Sequence, residues 1–249
     1  MKAGLIRMFR RRIWRRIRKC LPPSKPPRLV QALPAAYLRG TGCEIGALHN
    51  PLRVPAGAQV SYIDRFPVSE LRAQYPELED VALVPVDIVT DGEKLGAVAD
   101  ASQDFVIARN FIEHCEDPIG TLKHFLRVLK PGGIVYLGVP DKRHTFDSAR
   151  PVTPLQHLIE DHELGPERSR RAHFEEVARF CHHMQNDDDV RRCADDLMAR
   201  NYSIHFHVWS LREMLELLLF LGGRIGFEIE ASCINGAEDV FILRKTPAA

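Results

Sequence analysis

The feature that most constrains this chain is the run Gly42-Cys43-Glu44-Ile45-Gly46-Ala47-Leu48-His49-Asn50, with Asp64 closing the next apolar segment. A short buried strand, a glycine turn and a carboxylate about 20 positions on are what a nucleotide-like ligand requires. Glycine lets the backbone approach the ligand, and the acid accepts hydrogen bonds from a ribose. Only Gly46 stands where a dinucleotide fingerprint carries several glycines, so the turn alone leaves the ligand open.

The rest of the chain repeats a strand–helix rhythm. Strands are predicted over Cys43–Ile45, Val60–Ile63, Val81–Val86, Asp104–Ala108 and Ile134–Val139, running into Gly46, Asp64, Asp87, Arg109-Asn110 and Pro140. Helices are predicted near Val68–Gln74 and over Pro118–Leu129. The second has Ile119, Leu122, Phe125, Leu126 and Leu129 on one face and Lys130-Pro131-Gly132-Gly133 as its stop. Residues 141–207 interrupt the rhythm: they are polar, lack a clear strand and hold His144, His157, His162, His173, His182, His183, His205 and His207. A helix over Ser210–Leu221, stopped by Gly222-Gly223, precedes two closing strands at Ile225–Ala231 and Val240–Leu243. The expected fold is α/β: a doubly wound, mostly parallel, seven-stranded Rossmann-like sheet with a polar, partly helical insert after the fifth strand. Ligands of such sheets bind beyond the carboxyl ends of the strands, where Gly46, Asp64, Asp87 and Asn110 fall.

Charge marks the domain boundary. All 33 acidic residues of the 249-residue chain lie from Glu44 onward, whereas the first 43 positions include Arg10, Arg11, Arg12, Arg15, Arg16, Arg18 and Lys19. Residues 1–21 read as a basic amphipathic helix, with Leu5, Phe9, Ile13, Ile17 and Leu21 every four positions. The segment has no uninterrupted apolar core, so it is neither a signal peptide nor a membrane span. It suits an anionic membrane surface; a solvated tail, a helix docked on the acidic body and a nucleic-acid contact are the rivals. Residues 22–35, with five prolines, are expected as a stiff linker, and 36–245 as the folded domain, with 141–207 on its substrate side. Six scattered cysteines without a CxxC pair point to reduced thiols and a cytoplasmic protein, peripheral at the inner face of the membrane if residues 1–21 bind lipid.

Taken in order, these residues resemble the class I S-adenosylmethionine-dependent methyltransferases. The match runs from Gly42 to Leu137, with the closing helix and strands to Arg244 fitting more loosely. Glu44-Ile45-Gly46 is similar to the family's first motif, which implies Glu44, Gly46 and Ala47 around the methionine part of the cofactor. Asp64 matches the acid on the ribose hydroxyls, and Asp87 the residue at the adenine, with Ile88 against the ring. Asp100–Val106 resembles the loop into the fourth strand. Asn110-Phe111-Ile112-Glu113-His114 resembles the segment after it, which implies Asn110 and His114 on the cofactor side. Leu126–Gly133 (L-R-V-L-K-P-G-G) is the most specific string. The chain departs from the family's E-x-G-x-G-x-G at Ala47–Asn50, so either these residues shape the turn differently or the cofactor is held poorly. Glu44–Leu52 and Pro140–Asp147 are similar to a subgroup found beside glycosyltransferases in polysaccharide-building systems, which implies a saccharide or lipid-linked acceptor.

Methyl transfer to a hydroxyl needs positioning, exclusion of water and a base for the acceptor proton. His144 and Asp147, directly after the fifth strand, are the first catalytic candidates; His157 follows, with Asp161 and His162 one helical turn on. His157, Asp161, His162 and His173 are metal-ligand types, but without a tight spacing motif no metal is assigned. A bland reading stands beside each: an insert histidine is commonly structural, and Glu44 commonly ties a loop to backbone N–H groups. The rival functions are a methyltransferase acting on another small molecule or lipid, and a cofactor-binding scaffold without catalysis. Nucleic acid as substrate is disfavoured by the acidic body and by the absence of a D/N-P-P-Y/F motif.

Overall fold

The structure, a computed structural model, describes residues 28–247. The amphipathic helix expected over 1–21 and the first part of the 22–35 linker lie outside the described residues.

Seven strands form one sheet: β1 (Gly40–Ile45), β2 (Ala58–Asp64), β3 (Ile88–Val89), β4 (Gln103–Arg109), β5 (Leu129–Pro140), β6 (Phe227–Asn235) and β7 (Glu238–Lys245). Their order is β3-β2-β1-β4-β5-β7-β6, with β1 to β5 parallel and β7 antiparallel to both neighbours. This is the doubly wound, mostly parallel sheet expected. Alternation along β4 splits the core in two. Val106 and Ala108 face one side with Ile119, Leu122 and Phe125 of α3 (Pro118–Val128) and Met214, Leu217 and Leu218 of α7 (Leu211–Ile225). Phe105 and Ile107 face the other, covered by Val30 and Leu33 of α1 (Arg28–Tyr37) and by Leu38 after it. Fully burying each of these Val, Leu, Ile, Phe and Met side chains stabilises the fold by roughly 1.5–3 kcal/mol.

Three elements differ from the sequence expectation. The linker is already helical from Arg28, because Val30 and Leu33 have a sheet face to cover and the helix accommodates Pro34 inside it. The third strand is Ile88–Val89, not Val81–Val86. The apolar residues before Asp87 run as irregular chain instead, in which the Val84 N–H donates to the Leu48 carbonyl (2.8 Å). The last helix, α7, passes through Gly222-Gly223 and ends at left-handed Gly226 (φ 87°). There Gly222 serves packing: a Cβ on it would lie 3.1 Å from the Phe227 carbonyl of β6.

The chain winds outward through β1, β2 and β3, with α2 (Val68–Gln74) between the last two, then returns to lay β4 on the other side of β1. That reversal opens a crevice at the carboxyl ends of these strands. The insert after β5 is helical, with α4 (Leu155–Leu164), α5 (Glu167–Phe180) and α6 (Asp187–Ala199). Of these, α4 packs Leu158 into the main core, while α5, α6 and the returning segment enclose a small core of Phe174, Val177, Ala194, Leu197, Ile204 and Phe206. Residues 204–209 then thread back along the sheet edge. The Phe206 N–H donates to the Glu113 carbonyl (2.7 Å), the Thr153 N–H donates to the Val208 carbonyl (2.9 Å), and Trp209 bridges Asp141. The insert is thus anchored beside the segment that follows β4. Among the described residues, no helix is long and apolar enough to cross a membrane.

Candidate active site

At the end of β1 the chain turns through Gly46 with φ +65°, a conformation that strains residues with a Cβ, and the space above it is open to the Phe111 ring at 3.7 Å. Two residues on, Leu48 is left-handed as well (φ 48°). Leu48 therefore holds a backbone that glycine adopts at less cost. Three bonds hold this loop. Both oxygens of buried Glu44 accept the Leu52 N–H (2.9 and 3.1 Å), the Asn50 N–H donates to the Ala47 carbonyl (2.9 Å), and the Leu48 carbonyl takes Val84. Burial pushes the Glu44 carboxyl up to about 7, against the Leu52 hydrogen bond and the Arg109 charge. Glu44 supports the turn from below, while Gly46 and Ala47 form its rim.

Asp64 closes β2, and its Oδ1 accepts the Arg65 N–H (2.7 Å). Burial raises its pKa, partly offset by the Arg65 and Phe66 backbone bonds and by the Arg65 charge. Ile88 pairs with Ile63 and packs on the main core. Asp87 lies at the amino end of β3, where its Oδ2 accepts the Tyr62 N–H (2.8 Å) and its own N–H donates to the Tyr62 carbonyl. The carboxyl end of β3 instead delivers Asp91, whose Oδ1 accepts the Glu93 N–H (2.9 Å). Gly92 beside it passes so close to Ile45 and Phe111 that a Cβ would stand 2.7 Å from each. The expected Val81–Val86 strand passes over Asp91, whose sequence signal is the Asp-Gly turn after Ile88-Val89. Asn110, exposed and left-handed (φ 48°), ends β4, its N–H donating to the Gly138 carbonyl.

The insert closes on this edge. Arg65 and Phe66 share a cavity of about 230 Å³ with Arg200, Asn201 and Tyr202 of the insert. His114 faces the insert: Nδ1 lies 2.8 Å from the Ile204 carbonyl and 3.1 Å from Ser203 Oγ, and burial pushes its pKa down to about 3. Its ring meets His205 edge-on, with centroids 4.6 Å apart.

Of the catalytic candidates, Asp147 is brought to His205, not to His144. Asp147 Oδ2 sits 2.7 Å from His205 Nδ1, and its Oδ1 accepts Arg150 Nη1–H (2.8 Å). Burial works against its charge, but His205 and Arg150 prevail and hold this carboxyl well below the usual range. An ionised carboxylate only accepts, so His205 donates from Nδ1 and keeps Nε2 as its lone-pair nitrogen, 3.9 Å from Glu113 Oε1. Arg150, fully buried, also donates to Glu176 Oε1 and to the His205 and Phe206 carbonyls, fixing the segment that carries the imidazole. No local spacing joins residues 147 and 205, so the pair was illegible in sequence.

His144, itself exposed, ends a 3-10 turn, its N–H donating to the Asp141 carbonyl. His157 belongs to a separate group inside the insert. Its Nε2 lies 3.1 Å from both His173 Nε2 and Asp161 Oδ2, with His207 beside them. Burial pushes His173 down to about 3 and His207 well below its ordinary value. His162 points elsewhere, its Nδ1 2.9 Å from Asp117 Oδ2, and so links α4 to the cap of α3.

Residues 40–137 match the methyltransferase domain family. The ubiquinone biosynthesis O-methyltransferase of Xanthomonas campestris pv. campestris (strain B100) is 36% identical over 107 residues, 43% of this chain. The match spans 44% of that relative's length. Among solved structures, a S-adenosylmethionine-dependent methyltransferase of Thermotoga maritima, titled a possible histamine N-methyltransferase, is 19% identical, with TM-score 0.46 over 87% of each chain. Another, from Aquifex aeolicus, is 15% identical, with TM-score 0.48 over 93% of this chain and 97% of that one.

Proposed function

We propose that this chain, whose residues 40–137 match a methyltransferase domain, transfers a methyl group from S-adenosylmethionine to a hydroxyl oxygen of a saccharide or lipid-linked intermediate. The observation that carries the reading is the shared edge: the open Gly46 turn, Asp64 and the Asp147–His205 pair all belong to the carboxyl ends of the parallel strands or to the insert docked there. The residues fit the cofactor, since the left-handed turn leaves room above its backbone and Asp64 presents a carboxylate one strand over. Bound S-adenosylmethionine supplies an activated methyl group, so the protein's work is positioning and proton removal. Gly46 and Ala47 would hold the methionine part and Asp64 the ribose. His205 would take the acceptor's proton at Nε2 as its oxygen is alkylated, with Asp147 keeping the imidazole in the right tautomer.

The saccharide acceptor is supported by the Glu44–Leu52 and Pro140–Asp147 strings; another small molecule or lipid is the second reading, favoured by the name of the Xanthomonas relative, a ubiquinone biosynthesis O-methyltransferase. The basic, amphipathic sequence of residues 1–21 supports work at an anionic membrane surface at the cytoplasmic face. Calorimetry with S-adenosylmethionine and its demethylated product tests the cofactor, and folded protein that binds neither sinks the proposal. Labelled methyl transfer to panels of saccharides, lipid-linked sugars and phenols then separates the acceptors, and binding without turnover on any panel would leave a scaffold. Liposome co-sedimentation with and without residues 1–21 tests the membrane; equal partitioning removes it.

A further inference from the structure

We propose that His157, Asp161, His173 and His207 form a transition-metal site, with Zn²⁺ as the ion that fits, which ties two helices of the insert to the segment that returns from it. The four ligand atoms, one from each residue, all lie within 4.8 Å of one another. His157 Nε2 stands 3.1 Å from His173 Nε2 and 3.1 Å from Asp161 Oδ2, while His173 Nε2 and His207 Nε2 each stand 3.8 Å from the same oxygen. A tetrahedral ion with bonds of 2.0–2.1 Å sets its ligands about 3.3 Å apart, and these four separations bracket that spacing.

Three observations separate this group from an ordinary buried polar cluster. First, Asp161 is 3% exposed, and its Oδ2, aimed at the three imidazoles, makes no hydrogen bond. An orphaned buried carboxylate oxygen is costly unless something compensates it, and a cation among neutral imidazoles does so. Second, the ligand is oriented from behind: Ser169 Oγ donates to Asp161 Oδ1 (2.6 Å), the outer-sphere arrangement that metal carboxylates use. Third, the ligands come from three separate pieces of chain. His157 and Asp161 are one turn apart on α4, His173 is on α5, and His207 is on the returning segment. His207 Nε2 also lies 3.3 Å from the Glu116 carbonyl, a contact that ligation would exchange for the ion.

Imidazole nitrogens with one carboxylate suit Zn²⁺ better than Mg²⁺ or Ca²⁺, which take oxygen. Four protein ligands close the sphere, so the ion serves structure and not substrate activation. Bridging α4, α5 and residues 204–209, it would fix the segment that carries His205. The inference stands on the insert's own geometry and does not depend on the methyl-transfer reading.

The test is metal analysis of the full chain after loading with Zn²⁺ and desalting, paired with Co²⁺ substitution. One equivalent of zinc per chain, tetrahedral ligand-field bands with Co²⁺, and a melting temperature that chelator lowers and Zn²⁺ restores are expected. His157→Gln, at the most exposed ligand, should fold and lose affinity by roughly 100-fold or more, and Ser169→Ala should lose about 10-fold. Folded wild-type protein that retains no zinc overturns the proposal, as does a His157→Gln protein that retains it fully. So does zinc that disappears in His205→Ala while surviving in His157→Gln, which would move the ion to Glu113, His114 and His205.

Discussion

His205 Nδ1 lies 2.7 Å from Asp147 Oδ2, although 58 positions separate the two residues. Burial alone would lower the imidazole's pKa. The hydrogen bond to Asp147 and its charge, together with the charge of Glu113, outweigh that and raise it. A base acts only when deprotonated. Methyl transfer should therefore rise with pH along a limb centred above 6.5, the ordinary histidine value.

His205→Gln should lower kcat by roughly 10²–10⁴-fold with S-adenosylmethionine affinity nearly unchanged. Asp147→Asn removes the charge that raises the pKa, so the pH limb should move to lower pH while kcat falls. Rate profiles over pH for the three proteins decide this. A wild-type profile flat through the imidazole range, or a limb that Asp147→Asn leaves in place, would remove His205 from the mechanism.

The two strand-end acids before β4 separate by position. Asp87 accepts the Tyr62 N–H at the amino end of β3, whereas Asp91 follows its carboxyl end, beside the Gly46 turn. Asp91→Asn and Asp64→Asn should each weaken S-adenosylmethionine binding by roughly 10- to 100-fold, the value of a hydrogen bond to a charged group. Asp87→Asn should leave binding within a few-fold and act on stability. Calorimetry on the three variants reads it directly, and the reverse ranking would restore Asp87 to the ligand.

The sheet was legible because β1, β4 and β5 are short apolar runs with polar ends, and α3 because Ile119, Leu122, Phe125 and Leu126 keep its period. The Gly46 turn and Asp64 carried the candidate cofactor edge, since both sit beside strand ends. Other parts hid for physical reasons. β3 has only two residues, too few for a period, so the nearby Val81–Val86 run drew the strand away from it. Gly222-Gly223 reads as a stop, whereas Gly222 in fact lets Phe227 approach within a helix that continues. The side-chain pairs of the insert arise from helix packing across tens of residues, which no local pattern encodes: Asp147 with His205, and His157 with His173 and His207.

Leu48 is where the sequence posed its sharpest question, and its left-handed backbone gives a testable answer. A leucine there bears roughly 1–2 kcal/mol of strain. Leu48→Gly relieves it but gives up the burial of a half-exposed side chain, so the two effects should cancel to within about 1 kcal/mol. Leu48→Val keeps a side chain and makes the strain worse, because β-branched residues tolerate positive φ least. Urea unfolding should place Leu48→Val about 1–2 kcal/mol below Leu48→Gly, and S-adenosylmethionine should bind the glycine variant within a few-fold of wild type. A glycine variant that binds far more tightly would mean that the leucine crowds the methionine part.

Glu113 tests how burial and charge combine at the heart of the site. It is 1% exposed, neither carboxylate oxygen has a hydrogen-bond partner, and burial pushes its pKa up to about 7. The unfolded chain, with a carboxyl near 4.5, releases its proton first as pH rises. Between about pH 4.5 and 7 the folded state thus holds the extra proton, and stability declines with rising pH through that window and stays lower above it. Glu44 and Glu93, both pushed up to about 7, contribute slopes of the same sign, so only a comparison isolates Glu113. Glu113→Gln keeps the shape and never ionises. Its unfolding free energy should fall less than wild type's between pH 5 and pH 8, by an amount on the order of 3 kcal/mol. Losing the Glu113 charge should also lower the His205 pKa, shifting the activity limb toward acid. Parallel stability curves for the two proteins would show that Glu113 stays ionised when buried, held by a protonated His205, and the pH limb would then belong to the pair.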